Sequence, residues 1–423
     1  MSLKKSTKAK PFISLLCILA IFCTSILQTL TAAPTEVHAR GTGGIKGNNL
    51  PAGYVTERQM KLANPWTGTN EAPLYNVMRK AQSGQKVTIA FIGGSITKGT
   101  MSKGTRDESM NKKLTYVDYF TNWWYKTFPK ADLRFVNAGI SATDSYLGVH
   151  RVQKDVLDKK PDLVVVEFAV NDKKTAYHKQ AYENLIRKIM NSSSKPAVML
   201  LFMAKLNGWS CQLQQSEIGM HYRLPMLSYG NVMKDMINQG IYTMDELSGD
   251  AIHPSALGYA IVGEILVRYL NSIQQMGLGQ AAYKKEPASY VTSKKYTTAK
   301  VLTCKDIKIK KMGTFEESSK SQVFKNNLTS AKGNGDLTFT VTAKNIGIVF
   351  AQQTNGRGGQ FHVYVDGKKT AVIDADNSSG VHNKPGAVPC YSSNAKKTHT
   401  VRIVRDKKSK GQALTIYAVL VSN

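Results

Sequence analysis

The sequence predicts two folded domains: a three-layer α/β/α sandwich with a parallel sheet, followed by an all-β sandwich of the jelly-roll type. Its 423 residues exceed what one hydrophobic core usually organises. Between residues 75 and 276, short apolar runs alternate with longer helical patterns, as they do in βαβ units. From about residue 285, this pattern gives way to alternation of polar and apolar residues, which is typical of half-buried antiparallel strands.

Four apolar runs predict the strands of the parallel sheet. They are apolar throughout, so helices should cover both faces of the sheet. The strands are expected at KVTIAFIGG (86–94), LRFVNAG (133–139), DLVVVEFAVND (162–172) and AVMLLFMAK (197–205). The helices are expected at 116–128, 147–160, 180–192 and 255–276, where apolar residues recur with helical spacing.

The C-terminal part of the chain predicts antiparallel strands at 337–352, 360–374, 398–406 and 413–422. Asp366-Gly367, within VDGKK, supplies the two positive φ angles of a tight hairpin turn. We therefore divide the chain into a signal peptide (1–39), an N-terminal extension (40–74), an α/β domain (75–284) and a β-sandwich domain (285–423).

The N-terminus carries the features of an export signal. Four lysines precede the apolar run 11–30, and the small-residue motif VHA then ends at Ala39, where cleavage is expected. A run of this length is also long enough to remain as a membrane anchor. The sequence thus predicts a secreted or cell-surface protein, with no membrane contact unless this segment is retained.

The chain is strongly basic. It has 57 Lys and Arg against 29 Asp and Glu, a net charge of +28, and residues 290–423 hold 22 of the former and 8 of the latter. The lysines lie mostly in turn-like stretches such as RDKKSKGQ and do not alternate with aromatic residues, which argues against a nucleic-acid partner. Binding to an anionic polymer and a merely solvated surface both remain open.

Three cysteines remain after the signal segment: Cys211, Cys304 and Cys390. One disulfide at most can form, and we expect it between Cys304 and Cys390, although two buried thiols fit the sequence equally well. The three cysteines show no metal-ligand spacing, so neither a metal nor another cofactor is predicted.

Ser95 follows Gly93 and Gly94 at the end of the first predicted strand. Ligands of an open parallel sheet bind at the carboxyl ends of its strands. A phosphate-binding loop is not supported, because Lys98-Gly99-Thr100 reverses the Gly-Lys order that such a loop requires. A lone serine here would be a helix cap, so other residues must decide its role.

A serine hydroxyl becomes a nucleophile when a neighbouring base takes its proton. His253 lies in SGDAIHPSALGYA, before the last predicted helix, and Asp250 precedes it by three residues. This spacing lets the carboxylate accept from Nδ1–H, which leaves Nε2 available as the base. Ser95, His253 and Asp250 are therefore the candidate catalytic residues.

Two other strand ends offer hydrogen-bond donors for an oxyanion. FVNAGISATDS supplies the N–H of Gly139, and EFAVNDKK supplies the side-chain amide of Asn171. Alone, each residue is more typical of a turn or a helix cap. Their joint occurrence at successive strand ends favours a site for acyl-group chemistry.

The chain resembles the SGNH/GDSL hydrolase superfamily in four ordered motifs. The Ser, Gly, Asn and His blocks of that superfamily correspond, in this order, to GGSIT, NAGISAT, AVND and DAIHP. The resemblance covers roughly residues 87–270 and leaves the β-domain outside. Two positions depart from the usual pattern: Gly94 stands where many members have Asp, and Ala169 where many have Gly.

The resemblance implies a serine esterase. Ser95 would attack the carbonyl, His253 would transfer the proton, and Asp250 would hold the imidazole. The oxyanion would be bound by the N–H groups of Ser95 and Gly139 and the amide of Asn171.

Exported members of this superfamily with a β-sandwich partner often deacetylate polysaccharides, so small acyl groups, above all O-acetyl groups, on a polysaccharide or cell-wall glycan are the expected substrate. Two alternatives remain: a polysaccharide O-acetyltransferase with the same triad, and a non-catalytic cell-wall binding protein. The aromatic residues available to the β-domain for carbohydrate are Phe361, Tyr364, Tyr391 and Tyr417, some of which alternation places in the core.

Other polar and aromatic residues are expected mainly to pack. We expect His150 and Arg151 inside a helix and His221 in a structural role. Trp123 and Trp124 are expected in the core. Trp209 follows a strand end and is expected to line the wall of a cleft.

Overall fold

The computed structural model describes residues 35–38 and 50–423, apart from 108–109, 111–112, 279–286, 320, 322, 331–335, 378–381 and 410–411. Nearly all of the predicted signal peptide, and the predicted domain boundary at residue 285, lie outside the described residues and stay predictions. Among the helices described, none is long and apolar enough to cross a membrane.

A parallel sheet forms the centre of the first domain. Its strands are β1 (Thr35–His38), β2 (Lys86–Gly93), β3 (Asp132–Gly139), β4 (Leu163–Glu167), β5 (Ala197–Phe202) and β6 (Met226–Ser228). The order is β1-β3-β2-β4-β5-β6; the last five are parallel, and β1 runs antiparallel to β3 at the edge. The four predicted strands are confirmed. Cleavage after Ala39 would remove β1, so the processing site stays a prediction.

Ten helices are described, and those that cover the sheet lie on both of its faces. They are α1 (Glu57–Ala63), α2 (Ala72–Gln82), α3 (Ser95–Lys98), α4 (Tyr116–Thr127), α5 (Ser145–Asp155), α6 (Ala176–Met190), α7 (Gln212–His221), α8 (Tyr229–Asn238), α9 (Met244–Leu247) and α10 (Ala256–Gln275). One core joins the sheet to α2, α4, α8 and α10, and a second joins it to α5, α6 and α7. The predicted three-layer α/β/α fold is confirmed.

Local sequence explains where the helices begin. Thr115 and Asp118 form a reciprocal capping box at the start of α4, and the Ser255 side chain accepts from Gly258 N at the start of α10. The apolar face of α4 then buries Trp123 and Trp124 in the first core, as expected.

The C-terminal domain is all-β, as predicted. Its strands are β7 (Lys300–Leu302), β8 (Lys308–Lys311), β9 (Glu316–Ser318), β10 (Asn327–Ser330), β11 (Leu337–Gln352), β12 (Gln360–Val365), β13 (Lys368–Asp374), β14 (Lys384–Arg405) and β15 (Leu414–Ser422). They form one continuous antiparallel sheet whose long strands β11 and β14 change register between Ala343 and Asn345. Asp366 and Gly367, with φ of 50° and 83°, turn the β12–β13 hairpin.

The two domains share a hydrophobic core. Tyr146 and Phe168 of the first domain belong to the same buried cluster as Tyr296, Val349 and Tyr417 of the C-terminal region. The connecting segment is also fixed in place, because the buried carboxylate of Glu183 on α6 accepts hydrogen bonds from the N–H groups of Val291 and Thr292, both at 2.7 Å.

The expected disulfide between Cys304 and Cys390 is wrong. Cys211, Cys304 and Cys390 are all buried thiols. Cys390 lies within β14, where its Sγ contacts the carbonyl of Val388 at 3.5 Å, whereas Cys304 follows β7 and its N–H donates to Asn326. Each thiol is packed locally, and burial raises the pKa of Cys390 to about 12.

Candidate active site

The ends of three parallel strands and the loop before α10 meet at one edge of the sheet. Ser95 is the first residue of α3, directly after β2, and it is only 7% exposed. Its Oγ lies 2.8 Å from His253 Nε2, although the two residues are 158 positions apart in sequence. The fold therefore brings together a hydroxyl and an imidazole in hydrogen-bonding contact.

Asp250 orients this imidazole. Its Oδ2 lies 2.6 Å from His253 Nδ1, and its Oδ1 accepts the N–H groups of Ile252 and His253 at 2.9 and 2.7 Å. Burial raises the pKa of Asp250, but the hydrogen bonds from His253 and Ile252 outweigh it, so this pKa lies below its usual value. An ionised carboxylate only accepts, so Nδ1 carries the proton and Nε2 is free to accept from Ser95.

Ser102 stabilises the loop that carries Asp250 and His253 through two hydrogen bonds. Its Oγ donates to the carbonyl of His253 at 2.5 Å and accepts from Gly249 N at 2.9 Å. The loop thus has fixed anchors on both sides of the Asp250–His253 pair.

Two alanines near the site adopt the left-handed conformation. Ala251, between Asp250 and His253, has a φ of 63°, and Ala142, in the turn after β3, has a φ of 61°. This conformation costs a non-glycine residue on the order of 1 kcal/mol or more. Backbone strain is therefore held in two of the loops that surround the predicted site.

The amide of Asn171 lies against the residue before the nucleophile. A Cβ at position 94 would lie 2.2 Å from Asn171 Oδ1 and 3.2 Å from its Nδ2. A side chain at position 94 would therefore displace the Asn171 amide, which Gly94 leaves in place. Asn171 Oδ1 is buried and has no hydrogen-bond partner among the described atoms.

We expect Gly94→Ala to displace the Asn171 amide and to lower kcat by about a hundredfold, the scale of one lost oxyanion donor. Steady-state kinetics on an aryl acetate would measure this loss. Asn171→Ala should cost a similar factor, and the double variant should be little worse than either single variant, because both remove the same contact. Additive losses would contradict this explanation.

The oxyanion role predicted for Gly139 is not supported by its contacts. Its N–H donates to Asn137 Oδ1 at 2.9 Å, while Asn137 Nδ2 donates to the carbonyl of Thr97 at 2.8 Å. A Cβ at position 139 would lie 2.3 Å from Lys98 N. Gly139 thus allows α3 to pack closely on β3, and its N–H is already occupied. Asn137, whose side chain binds both the Gly139 N–H and the carbonyl of Thr97, was not predicted from the sequence.

A buried carboxyl group lies behind the nucleophile. Glu167, at the end of β4, is fully buried, and its Oε2 lies 3.2 Å from Thr97 Oγ1, which also accepts from Tyr116 OH at 2.9 Å. Burial, reinforced by the negative charge of Asp172, raises the pKa of Glu167 to about 8, although the hydrogen bond from Thr97 opposes this rise. Glu167 is therefore largely protonated at neutral pH.

The raised pKa of Glu167 predicts a loss of stability as pH rises. Between its unfolded pKa, near 4.5, and about 8, the unfolded chain releases this proton while the folded protein retains it. The free energy of unfolding should therefore fall across this range. Glu167→Gln keeps the shape of the side chain but removes the titratable proton. In this variant, the decrease in the free energy of unfolding should be smaller by more than about 1 kcal/mol. Urea unfolding of both proteins at pH 5 and pH 8 measures the difference; equal pH dependence would contradict the prediction.

The other polar and aromatic residues considered in the sequence make mainly packing and structural contacts. Arg151 and His150 are buried as expected: Arg151 donates to the carbonyls of Ala138 and Gly93 at 2.7 and 3.0 Å, and His150 Nδ1 contacts the carbonyl of Tyr146 at 2.7 Å. His221 Nε2 contacts the carbonyl of Ser289 at 3.1 Å, which is a structural contact. Trp209 is half-buried in the loop after β5, where the ammonium of Lys174 lies 4.9 Å from the centre of its ring.

The expected aromatic platform of the β-domain is mostly core. Phe361 and Tyr417 are buried, and Tyr417 stacks on Phe324 with a centroid distance of 5.0 Å. Tyr364 and Tyr391 are half-buried. No cluster of three or more potential metal ligands occurs among the residues for which coordinates are described.

The α/β domain is similar to known ester-hydrolysing proteins. Residues 91–261 match the GDSL-like Lipase/Acylhydrolase family. An acetylxylan esterase from Geobacillus stearothermophilus is 25% identical over 216 residues, which cover 45% of this chain and 95% of that protein.

Solved structures extend the likeness to both domains. A two-domain esterase active on acetylated mannans, crystallised with mannopentaose, superposes with a TM-score of 0.76 and 27% identity. The alignment covers 86% of this chain and 98% of that chain, and a second structure of a two-domain esterase active on acetylated mannans gives a TM-score of 0.76 and 26% identity.

The fold and these matches define a GDSL-type acylhydrolase domain joined to an antiparallel β-domain. The chain is an ester-hydrolysing enzyme, and its residues 91–261 are similar to GDSL-like lipases and acylhydrolases.

Proposed function

We propose that this protein is an exported serine esterase that removes O-acetyl groups from a polysaccharide or cell-wall glycan. The observation that carries the proposal is the unbroken hydrogen-bonded series from Ser95 Oγ through His253 to Asp250, at 2.8 and 2.6 Å. The similarity to esterases of acetylated xylan and mannan supports the choice of substrate class.

The reaction would begin when Ser95 Oγ attacks the acetyl carbonyl and its proton passes to His253 Nε2. Asp250 stabilises the imidazolium that forms. The oxyanion would be bound by the N–H of Ser95, at the start of α3, and by the Nδ2 of Asn171. His253 then returns the proton to the departing sugar oxygen, and water resolves the acyl-enzyme by the same route.

Acetate release from a panel of acetylated polysaccharides and peptidoglycan tests the proposal, with Ser95→Ala protein as the control. We expect release from at least one polymer by the wild-type protein and none above background by the variant. Equal release by both proteins, or hydrolysis of an aryl acetate without action on any polymer, would contradict it. Mass spectrometry of added oligosaccharides would reveal acetyl transfer in place of hydrolysis.

A further inference from the structure

We propose that the esterase site acts on an anionic glycan, whose acidic groups bind a lysine subsite formed by Lys173, Lys205 and Lys384. This inference rests on the proposed deacetylase function and specifies its substrate class. Two of the lysines come from the catalytic domain, and Lys384 comes from the first residue of β14 in the C-terminal domain.

The lysine subsite adjoins the proposed catalytic residues. Lys173 follows Asn171 by two positions, and Lys205 lies in the loop after β5. That loop is tied to both sides of the site: Leu206 N donates to the carbonyl of Ala251 at 3.0 Å, and Cys211 N donates to the carbonyl of Ala169 at 2.7 Å. The loop thus bridges the Asn171 segment and the His253 loop.

Lys384 is the member of the lysine subsite that the β-domain contributes, and the charges of Lys205 and Lys173 act on it. Its side chain is half-buried; burial lowers its pKa, and the positive charges of Lys205 and Lys173 lower it further. Neither charge acting on it is negative. In the described part of the chain, no carboxylate forms an ion pair with any of the three lysines.

Three positive charges from separate segments attract an anion. An acidic polymer running past Ser95 would supply this anion, with carboxylate or phosphate oxygens as its recognised groups. Trp209, on the same loop as Lys205, offers an aromatic ring for the sugar, and Lys174 lies over that ring at 4.9 Å. This arrangement gives the C-terminal domain a direct role in substrate choice.

The test compares three polymers and a small substrate: O-acetylated polygalacturonate for carboxylates, an O-acetylated phosphate-linked glycan for phosphates, neutral O-acetylated glucomannan, and an aryl acetate. At low ionic strength, we expect wild-type kcat/KM to be about tenfold higher on at least one anionic polymer than on the neutral one, and this preference should shrink as salt is added. The two anionic arms identify which acidic group is recognised.

The triple variant Lys173→Gln/Lys205→Gln/Lys384→Gln should lose about tenfold in kcat/KM on the preferred anionic polymer and keep its activity on glucomannan and aryl acetate. Lys384→Gln alone should lose part of this, about two- to threefold. The matched control Lys308→Gln/Lys368→Gln/Lys369→Gln removes the same charge from exposed positions of the β-domain and should change neither ratio.

Deacetylation of the neutral polymer without any preference for an anionic one would overturn the lysine subsite and leave the esterase proposal standing. An equal loss in the control variant would likewise overturn it, because net charge alone would then explain the effect. Absence of acetate release from all polymers would overturn the proposed function itself.

Discussion

Ser95→Ala should lower kcat on an aryl acetate by at least about 10⁴-fold, the scale on which a removed nucleophile reduces a serine hydrolase. Ser95 Oγ is the atom that His253 Nε2 contacts at 2.8 Å, and an alanine leaves the imidazole without a proton to take. The rate of product release from the aryl acetate, together with a titration with a covalent serine reagent, measures the loss. Labelling should vanish together with activity.

Ser272→Ala is the matched control for this variant. It removes a hydroxyl near the C-terminal end of α10, the opposite end of this helix from the His253 loop, where it donates to the carbonyl of Tyr269 at 2.8 Å. This variant should keep its turnover and its labelling. Turnover in Ser95→Ala within tenfold of the wild type would remove the nucleophile assignment.

Asp250→Asn should lower kcat on the order of 10³- to 10⁴-fold while leaving the loop in place. The asparagine carbonyl can still accept the N–H groups of Ile252 and His253, so the backbone turn survives. Its NH₂ group, however, would face Nδ1 and force the imidazole proton onto Nε2. The imidazole could then no longer accept the proton of Ser95.

Asp245→Asn, on the exposed surface of α9, is the control for the change of charge and should retain activity. Circular dichroism and the melting temperature establish that both variants fold. A loss of less than tenfold in Asp250→Asn would show that the carboxylate does not set the imidazole tautomer.

The sequence predicted the strands better than the helices around them. Strands buried on both faces are continuous apolar runs, and these are visible without knowledge of their neighbours. β6 was missed because it has only three residues, too few to form a recognisable run. α5 begins two residues earlier than predicted because Asp144 caps it through Leu147 N at 2.9 Å, and a cap of this kind competes with an ordinary turn in sequence.

The candidate site likewise combines residues that local sequence indicates with contacts that only the packing of distant segments determines. Ser95, His253 and Asp250 were visible because each lies in a short motif with a chemical reason for its spacing. The engagement of the Gly139 N–H by Asn137, and the contact between Gly94 and Asn171, depend on how separate segments pack and leave no local pattern. The charge of Lys205 that lowers the pKa of Lys384 likewise acts between positions 179 residues apart, in two domains.

The buried cluster that the two domains share determines what happens when one domain is removed. A fragment ending near residue 278 would lack the C-terminal part of this cluster, and it would expose residues such as Tyr146, whose ring lies 5.5 Å from that of Tyr296. An exposed apolar surface of this kind promotes aggregation. The hydrolase half should therefore fail as a stand-alone catalyst or as a cassette for fusion, and heating the intact chain should produce one melting event.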